Sequence, residues 1–286
     1  MSFDANAHRD ASLESWEDAA PGWVSQQELM RDFGAPVSHW MIDAIMPQPG
    51  QRVLELAAGL GETAMLAAEL VAPMGGVVVS DQAEAMLEGA RARAIALALN
   101  NIEFQVLNAE WIDLPVASVD AVMCRWGYML MADPAAALGE TRRVLRPGGR
   151  VALAVWDTLE RNPWALLPAQ ELIARGLAPR ADPAAEPGPG PFALGDERRV
   201  RELLDQAGFV EARVEALELT RVHTSFEEMW DSTLDLSRSF HDAVLSRPAP
   251  EVEEIKVSLA ERFAPFTAAG GTLEIPGRTL VASASA

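Results

Sequence analysis

A parallel β-sheet wrapped by helices, an α/β fold, is what this sequence predicts, and three observations predict it. Short apolar runs alternate with helix-like stretches from about residue 50 to 156, the rhythm of strand–helix–strand units. The first run ends in the small-residue turn Ala57-Ala58-Gly59-Leu60-Gly61, and the second ends at Asp81. A ligand lying across the ends of parallel strands needs a cleared turn and, for a ribose, a carboxylate that accepts hydroxyl hydrogen bonds.

The elements follow in order. Residues 52–57 make the first strand, and 62–70 read as a helix whose small and apolar residues pack on the sheet. Gly75-Gly76 breaks the chain before a second strand at 77–80, and 83–97 is helical by composition. Strands are expected at 103–107 and 119–124, a helix at 134–145, and a fifth strand at 150–156 after Pro147-Gly148-Gly149. Residues 179–192 are too rich in Pro and Gly for a regular element and predict an extended surface loop or lid segment. Asp196 is placed to cap a helix over 196–206, closed by Gly208. Residues 209–220 alternate as a strand, 225–268 are mostly helical, and 279–283 form a short last strand. The expected organisation is a helical cap (1–45), a cofactor-binding core (46–156) and an insertion or loop (157–195). The rest of the core sheet (196–221 and 273–286) then encloses a helical substrate-side insertion (222–272).

Charge and composition narrow the function. The 286 residues carry 42 acidic against 23 basic side chains, a formal net charge of −19, which repels phosphate backbones and anionic lipid. Nucleic acid and membrane are therefore not the expected partners, and a small molecule is. The single cysteine, Cys124, excludes an internal disulfide framework and suits a reducing cytoplasm. The polar N-terminus resembles no signal peptide, and no apolar run approaches the roughly 20 residues that cross a bilayer. No spacing of His, Cys or carboxylates suggests a metal. A cytoplasmic monomer or homodimer is the expectation.

Gly59-x-Gly61-x-x-Ala64 followed by Asp81 also satisfies a dinucleotide fingerprint. Glu55 argues against that reading, because a carboxylate inside the first strand would face a pyrophosphate, whereas S-adenosylmethionine presents an ammonium and a sulfonium. Residues 55–61 resemble the acidic-x-Gly-x-Gly-x-Gly motif of class I S-adenosylmethionine-dependent methyltransferases, with Ala57 in place of the first glycine. Residues 108–115 (NAEWIDLP), 118–122 (SVDAV) and 142–149 (RRVLRPGG) resemble that family's later motifs in the expected order. The subgroup most resembled includes the ubiquinone and menaquinone C-methyltransferases and many small-molecule methyltransferases.

The resemblance implies a Rossmann-like, doubly wound sheet of seven strands, mostly parallel with an antiparallel last strand. It also implies roles. Glu55, Ala57, Gly59 and Gly61 would hold the methionine part, Asp81 the ribose, and Gln82 the adenosine. Asn108 would accept from the adenine amine, with Ala109 and Glu110 lining that pocket. Arg125 stands at the same edge, available to an anionic group or to one of the many acids. Tyr128, the only tyrosine, could orient a substrate or relay a proton, or simply pack under the lid. His39 and His241 are the candidate bases for a phenol or enol, while His8 lies in an N-terminus read as mobile. The expected reaction moves a methyl group from S-adenosylmethionine to an apolar or aromatic acceptor and leaves S-adenosylhomocysteine. A nicotinamide-dependent oxidoreductase and a non-catalytic S-adenosylmethionine-binding protein remain alternatives.

Overall fold

The computed structural model describes residues 3–180 and 188–286. Among them, β1 (Arg52–Glu55), β2 (Gly76–Asp81), β3 (Ile102–Val106), β4 (Val119–Arg125), β5 (Leu145–Trp156), β6 (Val210–His223) and β7 (Leu273–Ser285) form one sheet. Its order is β3-β2-β1-β4-β5-β7-β6. The first five strands pair in parallel, and β7 runs antiparallel to both its neighbours. The chain order reverses between β1 and β4, so the crevice for a ligand opens where those strands end. Strands β1, β2 and β4 are almost wholly buried along their length, as central parallel strands must be when helices cover both faces.

The helices are α1 (Ala5–Ser25), α2 (Gln27–Ile45), α3 (Glu62–Val71), α4 (Glu84–Ala96), α5 (Pro134–Val144), α6 (Pro163–Ala174), α7 (Glu197–Gln206), α8 (Phe226–Leu236), α9 (Arg238–Leu245) and α10 (Ala249–Phe263). Asp133 caps α5 by accepting the Ala136 N–H at 2.9 Å, with Pro134 at the first turn. Helix α4 lacks a side-chain cap of its own. Instead Glu17 of α1 accepts the N–H groups of Glu84 and Ala85 at 2.7 and 3.1 Å, which fastens α1 across the start of α4. Gly22 allows α1 to touch α8, since a Cβ there would sit 2.2 Å from the Asp235 carbonyl oxygen. No helix among the described residues is long and apolar enough to cross a membrane.

Several boundaries differ from the sequence reading. Strand β5 begins at Leu145 and β7 at Leu273, because Pro147-Gly148-Gly149 and Pro276-Gly277 sit within strands rather than ending them. Pro276 is tolerated because β5 pairs with β7 only through residues 279–285, so its missing N–H lies beyond β5. The 157–195 stretch is not all loop: it contains α6. The 1–45 stretch is not only a cap, because Phe33, Val37, Met41 and Ile45 of α2 join the buried cluster of β1, β4 and β5. The loop expected at 179–192 falls largely on residues 181–187, outside the described residues.

Candidate functional site

The turn after β1 is built from left-handed residues. Ala57, Gly59 and Gly61 have φ of +49°, +54° and +73°, conformations that cost an L residue about 1–2 kcal/mol and glycine little. Asp81 holds this turn. Its Oδ2 accepts the Gly59 N–H at 2.9 Å and its Oδ1 the Ala83 N–H at 3.0 Å, so one carboxyl clasps the ends of β1 and β2. Burial pushes that carboxyl up from its ordinary value, and the three backbone donors at residues 83, 59 and 82 pull it back.

A cleft enclosing roughly 970 Å³ of empty space, part of it open to solvent, lies along these strand ends. Ala57, Gly59, Asp81, Gln82, Asn108, Ala109, Glu110 and Arg125 line it, so eight residues singled out from the sequence meet in one place. Gly59 has open space where a side chain would point. Gly127 lines the cleft beside Ala57 and must be glycine, because a Cβ there would lie 2.6 Å from both the Ala57 Cβ and the Cys124 Sγ.

Two expected residues stand behind the lining. Gly61 packs its backbone toward Met65 and Ala90. Glu55 is 1% exposed and accepts the Ala64 N–H at 2.8 Å, satisfying the third amide of α3. Desolvation pushes its carboxyl up to about 8 against the opposing pull of Arg125. Asn108 serves the turn after β3 as well as lining the cleft. Its side-chain oxygen accepts the Glu110 N–H at 2.8 Å. The carboxylate of Glu110 accepts from the Arg9 guanidinium and from the Ala132 N–H at 3.0 Å. Gln82 donates to the Ser12 hydroxyl at 3.0 Å. Arg125 donates to Glu62 at 2.6 Å in a pair whose side chains are both under 10% exposed.

The three acid–base candidates stand elsewhere. Tyr128 is fully buried with its hydroxyl 2.6 Å from that of Thr141, and burial pushes the phenol well above its ordinary range. His39 lies exposed on α2. His241 on α9 pairs with its neighbour Asp242. None of them lines the cleft. Cys124 is buried too, and desolvation pushes its thiol up to about 12.

The helical cap expected over 1–45 contains α1, but sequence reasoning gave its His8, Arg9 and Ser12 no place at the site. His8, Arg9, Ser12, Trp16 and Trp23 all line the cleft, and Trp16 meets Trp23 edge-on at 5.5 Å. The His8 Nε2 lies 2.9 Å from the Leu130 carbonyl oxygen. A carbonyl only accepts, so Nε2 carries the proton of the neutral ring and Nδ1 keeps a free lone pair. The signal was present: residues 8, 12 and 16 recur every four positions, one face of a helix.

A family profile described as "Methyltransferase domain" matches residues 47–208. The nocamycin O-methyltransferase of Saccharothrix syringae is 32% identical over 190 residues, covering 64% of this chain and 67% of that protein. A ubiquinone/menaquinone biosynthesis C-methyltransferase of Hahella chejuensis is 35% identical over 134 residues, 45% of this chain and 54% of its own. Alignments span about half to two thirds of the length of these and other curated relatives. Among solved structures, the YcgJ protein of Bacillus subtilis superposes with a TM-score of 0.56 at 17% identity, over 87% of this chain and 97% of that one. That likeness concerns the fold.

Proposed function

We propose, because this chain belongs to the class I S-adenosylmethionine-dependent methyltransferase family, that it methylates a small apolar or aromatic acceptor from S-adenosylmethionine. The observation that carries this reading is Asp81, a buried carboxyl at the end of β2 that faces the cleft and fixes the glycine turn at the end of β1. The residues present fit the cofactor. Each Asp81 oxygen keeps a second lone pair for a ribose hydroxyl, the turn at 57–61 leaves its backbone uncovered, and the Nε1 of Trp23, on a cleft-lining residue, is buried without a partner among the described residues.

Bound S-adenosylmethionine supplies an electrophilic methyl group on a positively charged sulfur. Everything else falls to the chain's own groups. Asp81 would accept the ribose hydroxyls, Gln82 and Asn108 would flank the adenosine, and the small side chain of Ala57 beside Gly127 would leave the end of β1 open for the methionine part. Glu55 acts through the start of α3, which it anchors. Helix α1 excludes water, tied down by Arg9 on Glu110, Ser12 on Gln82 and His8 on Leu130. The Nδ1 of His8 takes the proton that an acceptor hydroxyl must lose. In-line displacement asks mainly for alignment of the two reactants, which the aromatic lining of Trp16, Trp23 and Trp126 offers to a flat acceptor. A reducing cytoplasm is supported by the lone buried cysteine.

Calorimetric titration with S-adenosylmethionine and S-adenosylhomocysteine tests the cofactor. Micromolar binding is expected, with about 1–3 kcal/mol lost in Asp81→Ala and no heat from NAD. Binding of NAD and of neither sulfur compound would overturn the reading. His8→Phe should keep the affinity for S-adenosylhomocysteine and lower kcat on a hydroxyl acceptor by about 10²–10⁴-fold. An unchanged kcat would remove the proton role.

A further inference from the structure

The β6–β7 hairpin is longer than the sheet it closes. Strand β5 pairs with β7 only through residues 279–285, whereas β6 and β7 stay paired out to His223 and Leu273. This overhang runs past the carboxyl end of β5, the same edge that bears the cleft. It carries two buried polar side chains, Arg221 at 6% exposure and His223 at 1%.

Among the described residues, Arg221 is a cation without an anion. It enters no ion pair among the described residues, and its Nε has no hydrogen-bond partner there, nor do the two ring nitrogens of His223. Among the described residues, other buried charged groups near the strand ends have an opposite charge or amides to meet them: Arg125 has Glu62, although its Nη1 is left without a partner, Asp81 has two amides, and Glu110 has Arg9. Burial alone lowers the guanidinium to about 10. His223 offers no negative charge, since burial and Arg221 hold it neutral down to about 4, and the carboxylate nearest it, Glu228, is engaged by the Thr224 N–H and hydroxyl. What Arg221 does have is two aromatic faces, with its guanidinium carbon 4.7 Å from the ring centroids of both Phe33 and Trp164.

Those rings connect it to the cleft. Phe33 stacks on Trp126 at 6.0 Å and on Trp156 at 5.9 Å, Trp126 stacks on Trp156 at 4.3 Å, and Trp156 meets Trp164 at 4.9 Å. Trp126 is a wall of the cleft. A planar fork of donors held between aromatic faces matches a carboxylate on a flat ring, which takes two parallel hydrogen bonds while its ring lies along the others.

We propose that Arg221, with Phe33 and Trp164, binds the carboxylate of an aromatic acid, and that this is how the acceptor is selected. The proposal rests on the methyl-transfer reading of the cleft for the word acceptor, but its binding test does not. Tryptophan fluorescence and calorimetry would compare 1-naphthoate, its neutral amide and inorganic phosphate on the intact protein, with S-adenosylhomocysteine titrated in parallel. The acid should bind, the amide at least tenfold more weakly. Arg221→Met should lose the acid by more than tenfold and Arg221→Lys by less, with the affinity for S-adenosylhomocysteine unchanged in both. Trp164→Leu, which keeps the charge, should weaken the acid and provides a variant independent of the guanidinium. Equal binding of acid and amide, retention of the acid in Arg221→Met, tighter binding of phosphate than of the acid, or no binding by wild type would each overturn the proposal. Failure of S-adenosylhomocysteine to bind, with the acid still held by Arg221, would instead overturn the cofactor reading and leave the anion site standing.

Discussion

On the β1–β3 side of the sheet's carboxyl edge, the buried ionisable groups of Glu55, Asp81 and Glu110 are carboxyls, and donors within the chain already occupy them. On the β5–β7 side the buried charge is a cation, Arg221, that nothing among the described residues answers. The first arrangement pre-organises a shape: each carboxyl fixes a turn or a helix end before any ligand arrives, so the ligand meets groups already in position. The second leaves capacity unspent. A buried ion lacking a partner carries a desolvation penalty that folding alone does not recover, and cation–π contact with two rings offsets only part of it. One half is complete in the free protein, and on the proposed reading a bound acid completes the other.

Removing charge from the two halves should therefore have opposite signs. Glu62→Gln leaves Arg125, 8% exposed at its side chain, and the nearby Arg93 without their carboxylate; denaturant unfolding should show a loss of about 3–5 kcal/mol. Arg221→Met replaces an unanswered cation with an apolar chain between Phe33 and Trp164, and should stabilise the unliganded protein by about 0.5–2 kcal/mol, the gain typical where function holds a strained or unsatisfied group. If Arg221→Met destabilises as Glu62→Gln does, Arg221 is already satisfied in solution and the contrast between the halves is lost.

The halves also differed in how far sequence revealed them. The first is local: the turn at 57–61, Asp81 twenty residues on and the segment 108–110 each follow directly on their own strand, so spacing carried the information. Even the substitution at Ala57, where the family resemblance expects glycine, marked a position whose φ is indeed positive. The second half is assembled from residues 33, 126, 156, 164 and 221, which no periodicity connects, and from a β-hairpin whose prolines and glycines disguised its length. Helix α1 falls between the two. Its cleft-facing residues recur with helical period, but only tertiary contacts such as Glu17 on α4 turn that face toward the cleft. Tyr128 drew attention by its place after the fourth strand, and His39 and His241 by residue type and an aromatic neighbour, none of which says which way a side chain is turned.

A smaller effect sharpens the first half further, and its sign follows from linkage. Glu55 titrates at about 8 in the folded protein against 4.5 for the free side chain, so folding favours its protonated form. That preference is fully present below pH 4.5 and is lost as pH rises through 8; between pH 6 and 8 the unliganded protein should lose about 2 kcal/mol on this account. Glu55→Gln should remove that slope in urea titrations carried out at successive pH values. A cationic ligand near the end of β1 favours the ionised carboxyl instead. Its binding then releases a proton, and the affinity for S-adenosylmethionine should rise with pH across the same window in wild type and stay flat in Glu55→Gln. Calorimetry in buffers of different ionisation enthalpy reads the proton directly. Flat affinity and no proton release in wild type would mean that the carboxyl buried under α3 does not sense the cleft, and that its work ends at the Ala64 amide.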